Sequence, residues 1–528
     1  MRAFVTGFVL VAALAASVGK IRGADSRPNI VLAFADDLGR YASIYADPAH
    51  PSPNDIIKTP NFDRVAREGV CFDNAFVSAP SCTPSRAAIL SSQHFFRNGS
   101  HSQLHHPWMQ GYDDPWDKVV GWPLMLRDQG YHIGWSYKMH ISEDRMGGKQ
   151  RNYRQAGSRF NSFSQQVSAA ADPEHAKQRL LDEVRGNFRA FLADRTDEQP
   201  YFYWFNPTNT HRAWVQGSGK NLWGLDPDQL KGKLPAFLPD HPTVREDFAD
   251  YLGEAMAFDA SVGVLLEELT ARGELENTIF VVSGDHGAPG FPRGKCNLYD
   301  FGTRVPLAVR WPAKVVADQR ISTPVSLVDL GPTFLAAVDL PIPEQFDGES
   351  LWPVLHQGTA AESALRGYAI SGRESHVGPA RPDALPYPMR AIRTSDYLYI
   401  INFAPDRWPV SHPPLAADFP PAMTGKGENR RRRMDIDFGP TRDLFVDNED
   451  ASWLKAFWDL GIGKRPAEEL YDVHQDPDQM HNLAGDPEYA EVQVRLRQQL
   501  LEELRAKNDP RVVDSGDAFD RPPYCRGL

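Results

Sequence analysis

Four places in this chain end an apolar run on groups that can bind a cation or neutralise an anion. Ile30-Val31-Leu32-Ala33-Phe34-Ala35 stops at Asp36-Asp37, and His132-Ile133-Gly134-Trp135-Ser136 leads to Lys138-Met139-His140. Tyr201-Phe202-Tyr203-Trp204-Phe205 leads to a loop with His211-Arg212. Thr278-Ile279-Phe280-Val281-Val282-Ser283 stops at Asp285-His286-Gly287, and Lys295 follows nine residues after His286. Taken singly, each is ordinary: a solvated acidic pair, a surface lysine, a loop histidine. Together they supply three carboxylates suited to a divalent cation, with lysines, an arginine and histidines suited to an oxyanion. Adjacent carboxylates such as Asp36 and Asp37 usually require a cation to offset their repulsion.

A fifth stretch, Ser81-Cys82-Thr83-Pro84-Ser85-Arg86-Ala87-Ala88-Ile89-Leu90, reads as a turn feeding a helix, with Thr83 as N-cap and Pro84 at the first helical position. Cys82 then lies at a helix N-terminus. Unpaired N–H groups and the positive end of the helix dipole favour an anion there, and Arg86, one turn on, adds a full charge. On this stretch alone, an incidental thiol at a helix start is an equal reading.

The elements that must position these groups follow from the apolar pattern. Continuous apolar runs describe strands buried on both faces, as in a parallel sheet, and open α/β sheets bind ligands at the carboxyl ends of such strands. Asp36, Asp37, Lys138, His140, His211, Asp285 and His286 are therefore expected at one sheet edge. Helical signals cover Thr59–Gly69, Trp122–Gly130, Lys177–Thr196 and about Phe248–Arg272, with a less ordered insert at Gly217–Thr243. Gly302–Leu307 returns the chain to the sheet. From about Ala369 the pattern changes to short alternating runs, Met389–Arg393 and Tyr397–Ile401, and a terminal helix near Glu488–Lys507. The reading is an α/β fold: a large mixed, mostly parallel sheet flanked by helices over 24–368, and a smaller C-terminal antiparallel-sheet subdomain over 369–528. Arg407–Thr441 is rich in proline and charge, and its Arg430-Arg431-Arg432-Arg433 read as a solvated loop, with a contact to polyanionic substrate as the alternative.

A formal net charge of −12 over 528 residues argues against a general nucleic-acid binder. An anionic substrate would have to be drawn in by a local basic pocket. Met1-Arg2, the apolar run Ala3–Val18 and Gly19-Lys20 read as a signal peptide over residues 1–23. That run is too short to cross a bilayer comfortably and no later one is long enough, so an exported protein without a membrane span is expected. Four cysteines, Cys71, Cys82, Cys296 and Cys525, are too few for a disulfide framework. The sequon Asn98-Gly99-Ser100 reads as chance.

Cys82-Thr83-Pro84-Ser85-Arg86 resembles the Cys-x-Pro-Ser-Arg signature of the type I sulfatases, formylglycine-dependent members of the alkaline phosphatase superfamily. The resemblance continues through Asp36-Asp37, Gly130-Tyr131 with Lys138-Met139-His140, Asp285-His286-Gly287, Lys295, Gly302-Thr303-Arg304-Val305-Pro306, and Glu469-Leu470-Tyr471-Asp472 with Asp476-Pro477. Within that family the chain is most similar to the sulfamidases, or heparan N-sulfatases, through Asn297-Leu298-Tyr299, Ser375-His376, Tyr387-Pro388-Met389-Arg390 and His211-Arg212.

The resemblance implies that a maturation enzyme oxidises Cys82 to formylglycine (3-oxoalanine). It also implies that Asp36, Asp37, Asp285, His286 and the oxidised side chain hold Ca2+. Arg86 would help polarise the hydrated aldehyde, and Lys138, Lys295 and His211 would neutralise the sulfuryl oxygens. His211 or Lys295 would protonate the leaving group, and His140 would take the proton whose loss expels sulfate. Glu374, His376 and Arg390 are the expected sugar contacts. The implied activity is release of sulfate from a sulfated glycan, with N-sulfoglucosamine of heparan-type chains preferred. The alternatives are an O-sulfatase on another glycan or an aryl sulfate, and a non-catalytic glycan-binding homologue. The resemblance allows a homodimer and a periplasmic, extracellular or lysosomal address. Two departures stand out. Tyr137 replaces a common glycine and is expected to crowd the pocket; His286 replaces a frequent asparagine, and imidazole is a poor calcium ligand.

Overall fold

The computed structural model describes residues 27–104, 108–196, 198–377, 380–412, 434–513 and 515–525. The signal peptide read at 1–23 and the arginine run 430–433 lie outside the described residues.

All seven residues of β1 (Asn29–Ala35) are buried. Because side chains alternate across a strand, Val31, Ala33 and Ala35 enter the core on one face, with Val184, Phe188, Phe248 and Leu252 from the helices Pro173–Ala193 and Pro242–Ala271. Ile30, Leu32 and Phe34 enter the core on the other face. There they join Ala87, Ile89 and Leu90 of a short helix that starts at Cys82, and Trp122 and Leu126 of the helix Trp122–Asp128. Burying each large apolar side chain stabilises the fold by roughly 1.5–3 kcal/mol, so both faces of this strand must be apolar.

The remaining strands of this sheet are β2 (Val70–Phe76), β3 (His132–Tyr137), β4 (Tyr201–Asn206), β5 (Thr278–Gly284), β6 (Arg304–Arg310), β7 (Gln319–Ile321) and β8 (Val325–Ser326). Their order is β3-β4-β1-β5-β6-β2-β7, with β8 beside β2. β3, β4, β1 and β5 are parallel neighbours, and β6 runs antiparallel between β5 and β2. The four apolar runs that end on chemistry are thus four adjacent strands with their carboxyl ends on one edge.

A separate sheet is made of β9 (Tyr368–Arg373), β10 (Met389–Thr394), β11 (Tyr397–Asn402) and β12 (Glu468–Asp472), antiparallel in the order β12-β11-β10-β9. The helix Ala490–Ala506 packs on it through Leu496, Leu500 and Leu504, one turn apart.

Some local expectations shift. The Cys82–Ser91 helix, α1, starts two residues early, with Ser81 rather than Thr83 in the N-cap position. Thr83 Oγ1 instead donates to the His140 carbonyl at 2.8 Å. The insert at 217–243 contains the helix Ser218–Trp223, and the long helix begins at Pro242. Asn98 is fully buried, which removes the sequon as a glycan acceptor.

Candidate active site

The turn after β1 is held from two sides. Asp36 N–H donates to the Asn209 carbonyl at 3.0 Å, and the Thr210 hydroxyl donates to the Asp37 carbonyl at 2.9 Å. From the Pro242–Ala271 helix, the Tyr251 hydroxyl donates to the Asp37 carbonyl at 3.1 Å and accepts from Gly39 N–H at 2.8 Å. This fixes Asp37 at φ 65°, a left-handed conformation that aspartate tolerates better than most residues. It also ties the loop bearing His211 to the loop bearing both carboxylates.

Arg86 unites the strand ends. Its Nε donates to Asp285 Oδ2 at 2.9 Å, one Nη to Asp36 Oδ1 at 3.1 Å, and the other to Asn206 Oδ1 at 2.9 Å and the Lys138 carbonyl at 3.2 Å. Lys138 Nζ reaches Asp36 Oδ2 at 2.5 Å and Cys82 Sγ at 3.4 Å. Lys295 Nζ reaches Asp37 Oδ2 at 3.0 Å. Cys82, the first residue of α1, has its Sγ 3.4 Å from His286 Nε2 and 3.7 Å from Asp37 Oδ1.

Three carboxylates and three strong bases therefore meet in a site where Asp36, Asp37, Asp285, Arg86 and His286 have no solvent exposure. Burial opposes ionisation of Asp36, but Lys138 and Arg86 hold its carboxyl well below the usual range. Asp285 goes the other way: burial and the neighbouring Asp36 outweigh His286 and Arg86 and raise it. Burial disfavours the His286 cation, yet Asp285 and Asp37 push its pKa up to about 9. The same carboxylates that raise the His286 pKa would be compensated by a bound divalent cation, which His286 could meet only as neutral imidazole.

The donor set fits such an ion. One ligand atom each from Asp37, Cys82, Asp285 and His286 lies within 4.8 Å of the others, and Asp36, Asp37, Cys82 and His211 form an overlapping group. Carboxylate oxygens suit a hard divalent cation; His286 is the softer exception.

A model of the family "Sulfatase" matches residues 28–340, well over half of the chain. The chain belongs to the sulfatase family. Human N-sulphoglucosamine sulphohydrolase is 29% identical over 95% of this chain and 95% of its own length. An ulvan-active sulfatase of Formosa agariphila is 26% identical over 92% of this chain and 76% of its own. A solved structure described in complex with its substrate D-glucosamine-2-N,6-O-disulfate superposes with a TM-score of 0.60 at 20% identity, covering 93% of this chain and all of that one. That likeness establishes the shared fold.

Within this sulfatase, the sequence-derived residues fall into three groups. Asp36, Asp37, Cys82, Arg86, Lys138, His211, Asp285, His286 and Lys295 converge on one centre. His140 stands beside it on the open cleft of about 1060 Å³ lined also by Thr83, Gln103, Ser142 and Lys149. Burial and the nearby Lys138 lower its pKa to about 4, so its imidazole is neutral at physiological pH. Glu374 and Arg390 do not line this centre as open side chains. Arg390 is fully buried between Asp509 and Glu374, and Glu374 is also paired with Arg511. Of the three expected sugar contacts, His376 meets the residue before the nucleophile position, its Nδ1 2.8 Å from the Ser81 hydroxyl.

Tyr137 does not crowd the pocket. Its ring packs on Phe160 and Phe205, and its hydroxyl donates to Glu183 at 3.2 Å. Its φ of 71° explains why glycine suits this position.

Two site residues carried no sequence signal strong enough to single them out. Asn206 closes β4 and accepts from Arg86; its position at a strand end was the available clue. Asp437, 3.0 Å from Lys295 Nζ, lies inside the proline- and charge-rich stretch Arg407–Thr441, where the alternation Met434-Asp435-Ile436-Asp437 is the available sign of an ordered segment.

Proposed function

We propose that this protein hydrolyses sulfate from a sulfated glycan, with N-sulfated glucosamine of heparan-type chains as the preferred substrate. The observation that carries this reading is the position of Cys82, at a helix N-terminus and within 3.4 Å of both Lys138 Nζ and His286 Nε2. Oxidised to the aldehyde hydrate, with a divalent ion such as calcium bound beside it, this position would supply an oxygen nucleophile for sulfur. Asp36, Asp37, Asp285 and His286 would hold the ion.

The chain's own groups do the rest. Lys138 and Lys295, both cationic, bind and orient the anionic sulfuryl oxygens. Arg86 fixes Asp36 and Asp285 relative to each other and carries positive charge beneath residue 82. His211, on the loop hydrogen-bonded to the Asp36–Asp37 turn, would deliver a proton to the leaving atom. Neutral His140 at the cleft accepts a proton, and His376 faces the leaving sugar. Glu374 and Arg390 shape the wall that carries His376.

The glucosamine preference rests on similarity along the whole chain to the human sulphohydrolase. An N-acetylglucosamine-6-O-sulfatase of Bacteroides thetaiotaomicron, 24% identical over 92% of this chain, favours O-desulfation as the second reading. The apolar leader at 1–23 supports export, and Cys82 in its motif supports dependence on a maturation enzyme. A homodimer is compatible with this reading. Sulfate release from N-sulfoglucosamine, glucosamine 6-sulfate and an aryl sulfate, measured on formylglycine-bearing protein, tests it; exclusive O-desulfation would overturn the preferred substrate.

A further inference from the structure

One carboxylate in the site belongs to no strand end and to none of the cation-binding groups. Asp437 Oδ2 lies 3.0 Å from Lys295 Nζ, the same nitrogen that meets Asp37 Oδ2 at 3.0 Å. Its other oxygen is 3.9 Å from His376 Nε2. Its side chain keeps 20% of its exposure, whereas that of Lys295 keeps 3%. Asp437 is thus the more exposed member of the pair, although the oxygen that meets Lys295 is itself buried. Burial favours its neutral acid, but Lys295, His376 and His211 hold the carboxyl well below the usual range, so it is an anion and a hydrogen-bond acceptor only.

The segment carrying Asp437 is built to keep it there. Two residues earlier, Asp435 is fully buried, pairs with Arg373 and with Arg381 at 2.6 Å, and accepts from Val377 N–H at 2.8 Å. Ile436 packs with Val410, Met434 and Phe445. Four residues later, the Thr441 hydroxyl donates to Asp247 Oδ2 at 2.7 Å, and Asp247 holds Arg212, next to His211, at 2.8 Å through both oxygens. A carboxylate anchored on both sides, among the cations that bind an anionic substrate, weakens that binding unless it meets a donor on the substrate.

A sulfamate brings that donor. Its nitrogen bears a hydrogen beyond the bonds to carbon and sulfur, whereas the bridging oxygen of a sulfate ester bears only lone pairs. We propose that Asp437 is a specificity-determining residue that accepts the sulfamate N–H and so favours S–N over S–O cleavage. The inference rests on the N-sulfated substrate proposed above. As sulfur bonds to the oxygen carried at position 82 and the S–N bond breaks, the S–N electron pair goes to nitrogen, which takes the proton from His211, while Asp437 accepts from the hydrogen already present. An ester oxygen in the same place meets a carboxylate it cannot bond. Sites built to hydrogen-bond a substrate N–H or O–H discriminate far more strongly than apolar pockets do.

The test is the ratio of kcat/KM for N-sulfoglucosamine to kcat/KM for an activated aryl sulfate, measured on one formylglycine-bearing preparation so that the fraction of folded protein cancels. Asp437→Asn and Asp437→Ser are expected to lower this ratio at least tenfold, and Asp437→Glu to restore most of it. A wild type active on the sulfamate whose variants lose both activities in equal proportion overturns this inference alone and leaves Asp437 as a partner of Lys295. A wild type inactive on the sulfamate overturns the proposed substrate and this inference with it.

Discussion

Arg86 Nε lies 2.9 Å from Asp285 Oδ2 with neither side chain exposed to solvent, while the same guanidinium reaches Asp36 at 3.1 Å. One residue of α1 thereby locks the carboxylates at the ends of β1 and β5 into a single geometry that could hold a cation. Removing one partner of a buried pair leaves the other charge unpaired, at a cost of about 3–5 kcal/mol. Arg86→Ala should lower the unfolding free energy by that order and abolish sulfate release. Arg86→Lys keeps the charge but not the fork, and should recover stability partly and activity little. Urea unfolding and turnover of both variants check this; an active Arg86→Ala enzyme would remove the arginine from the account.

Cation removal follows from the same geometry. Prolonged dialysis against a chelator should lower both activity and the melting temperature, and added Ca2+ should restore both, because a ligand bound to the native state alone stabilises it. Asp285→Asn should abolish the response to added ion. Calorimetry with and without Ca2+ reads this directly, and an unchanged melting temperature would count against a structural ion.

Arg390 gives a different signature. Sealed between Asp509 and Glu374, it should behave as a structural residue, so Arg390→Ala is expected to destabilise by about 3–5 kcal/mol. Any remaining folded enzyme should show a KM close to wild type. A raised KM in a protein of normal stability would return Arg390 to the list of sugar contacts.

His94 sets a pH limit on stability. Burial lowers its pKa to about 4 against an ordinary value of 6.5, with Asp347 opposing only in part. The unfolded chain therefore takes up the proton first. Stability from neutral His94 is complete above about pH 6.5 and is lost as pH falls through about 4, a span worth about 3 kcal/mol at 1.36 kcal/mol per pKa unit. His94→Gln should flatten the acid limb of a melting-temperature profile between those values, and an unchanged slope would contradict the assignment.

Much of the centre is legible in the sequence because a parallel strand buried on both faces leaves a continuous apolar run, and Asp36, Lys138, His211 and Asp285 each follow one. The Cys82–Arg86 spacing added the helix that faces them. Sequence spacing cannot say which charged groups neutralise one another. Arg390 and Glu374 are satisfied by Asp509 and Arg511, more than a hundred residues away, and this pairing turned two expected sugar contacts into a buried network. Asp437 is hidden for the opposite reason: it lies within a stretch whose composition suggests solvent, and Asp435, Ile436 and Thr441 fix it in place. Backbone conformation was equally invisible, so Tyr137 looked like an obstruction although its φ turns the ring toward Glu183.

The most direct measurement takes preparations in which residue 82 has been converted to different extents and compares aldehyde content, by mass spectrometry of the tryptic peptide, with sulfate release from N-sulfoglucosamine. Turnover should rise in proportion to the aldehyde fraction and extrapolate to zero for the thiol. A preparation that retains the Cys82 thiol throughout and still releases sulfate at an undiminished rate would contradict the account.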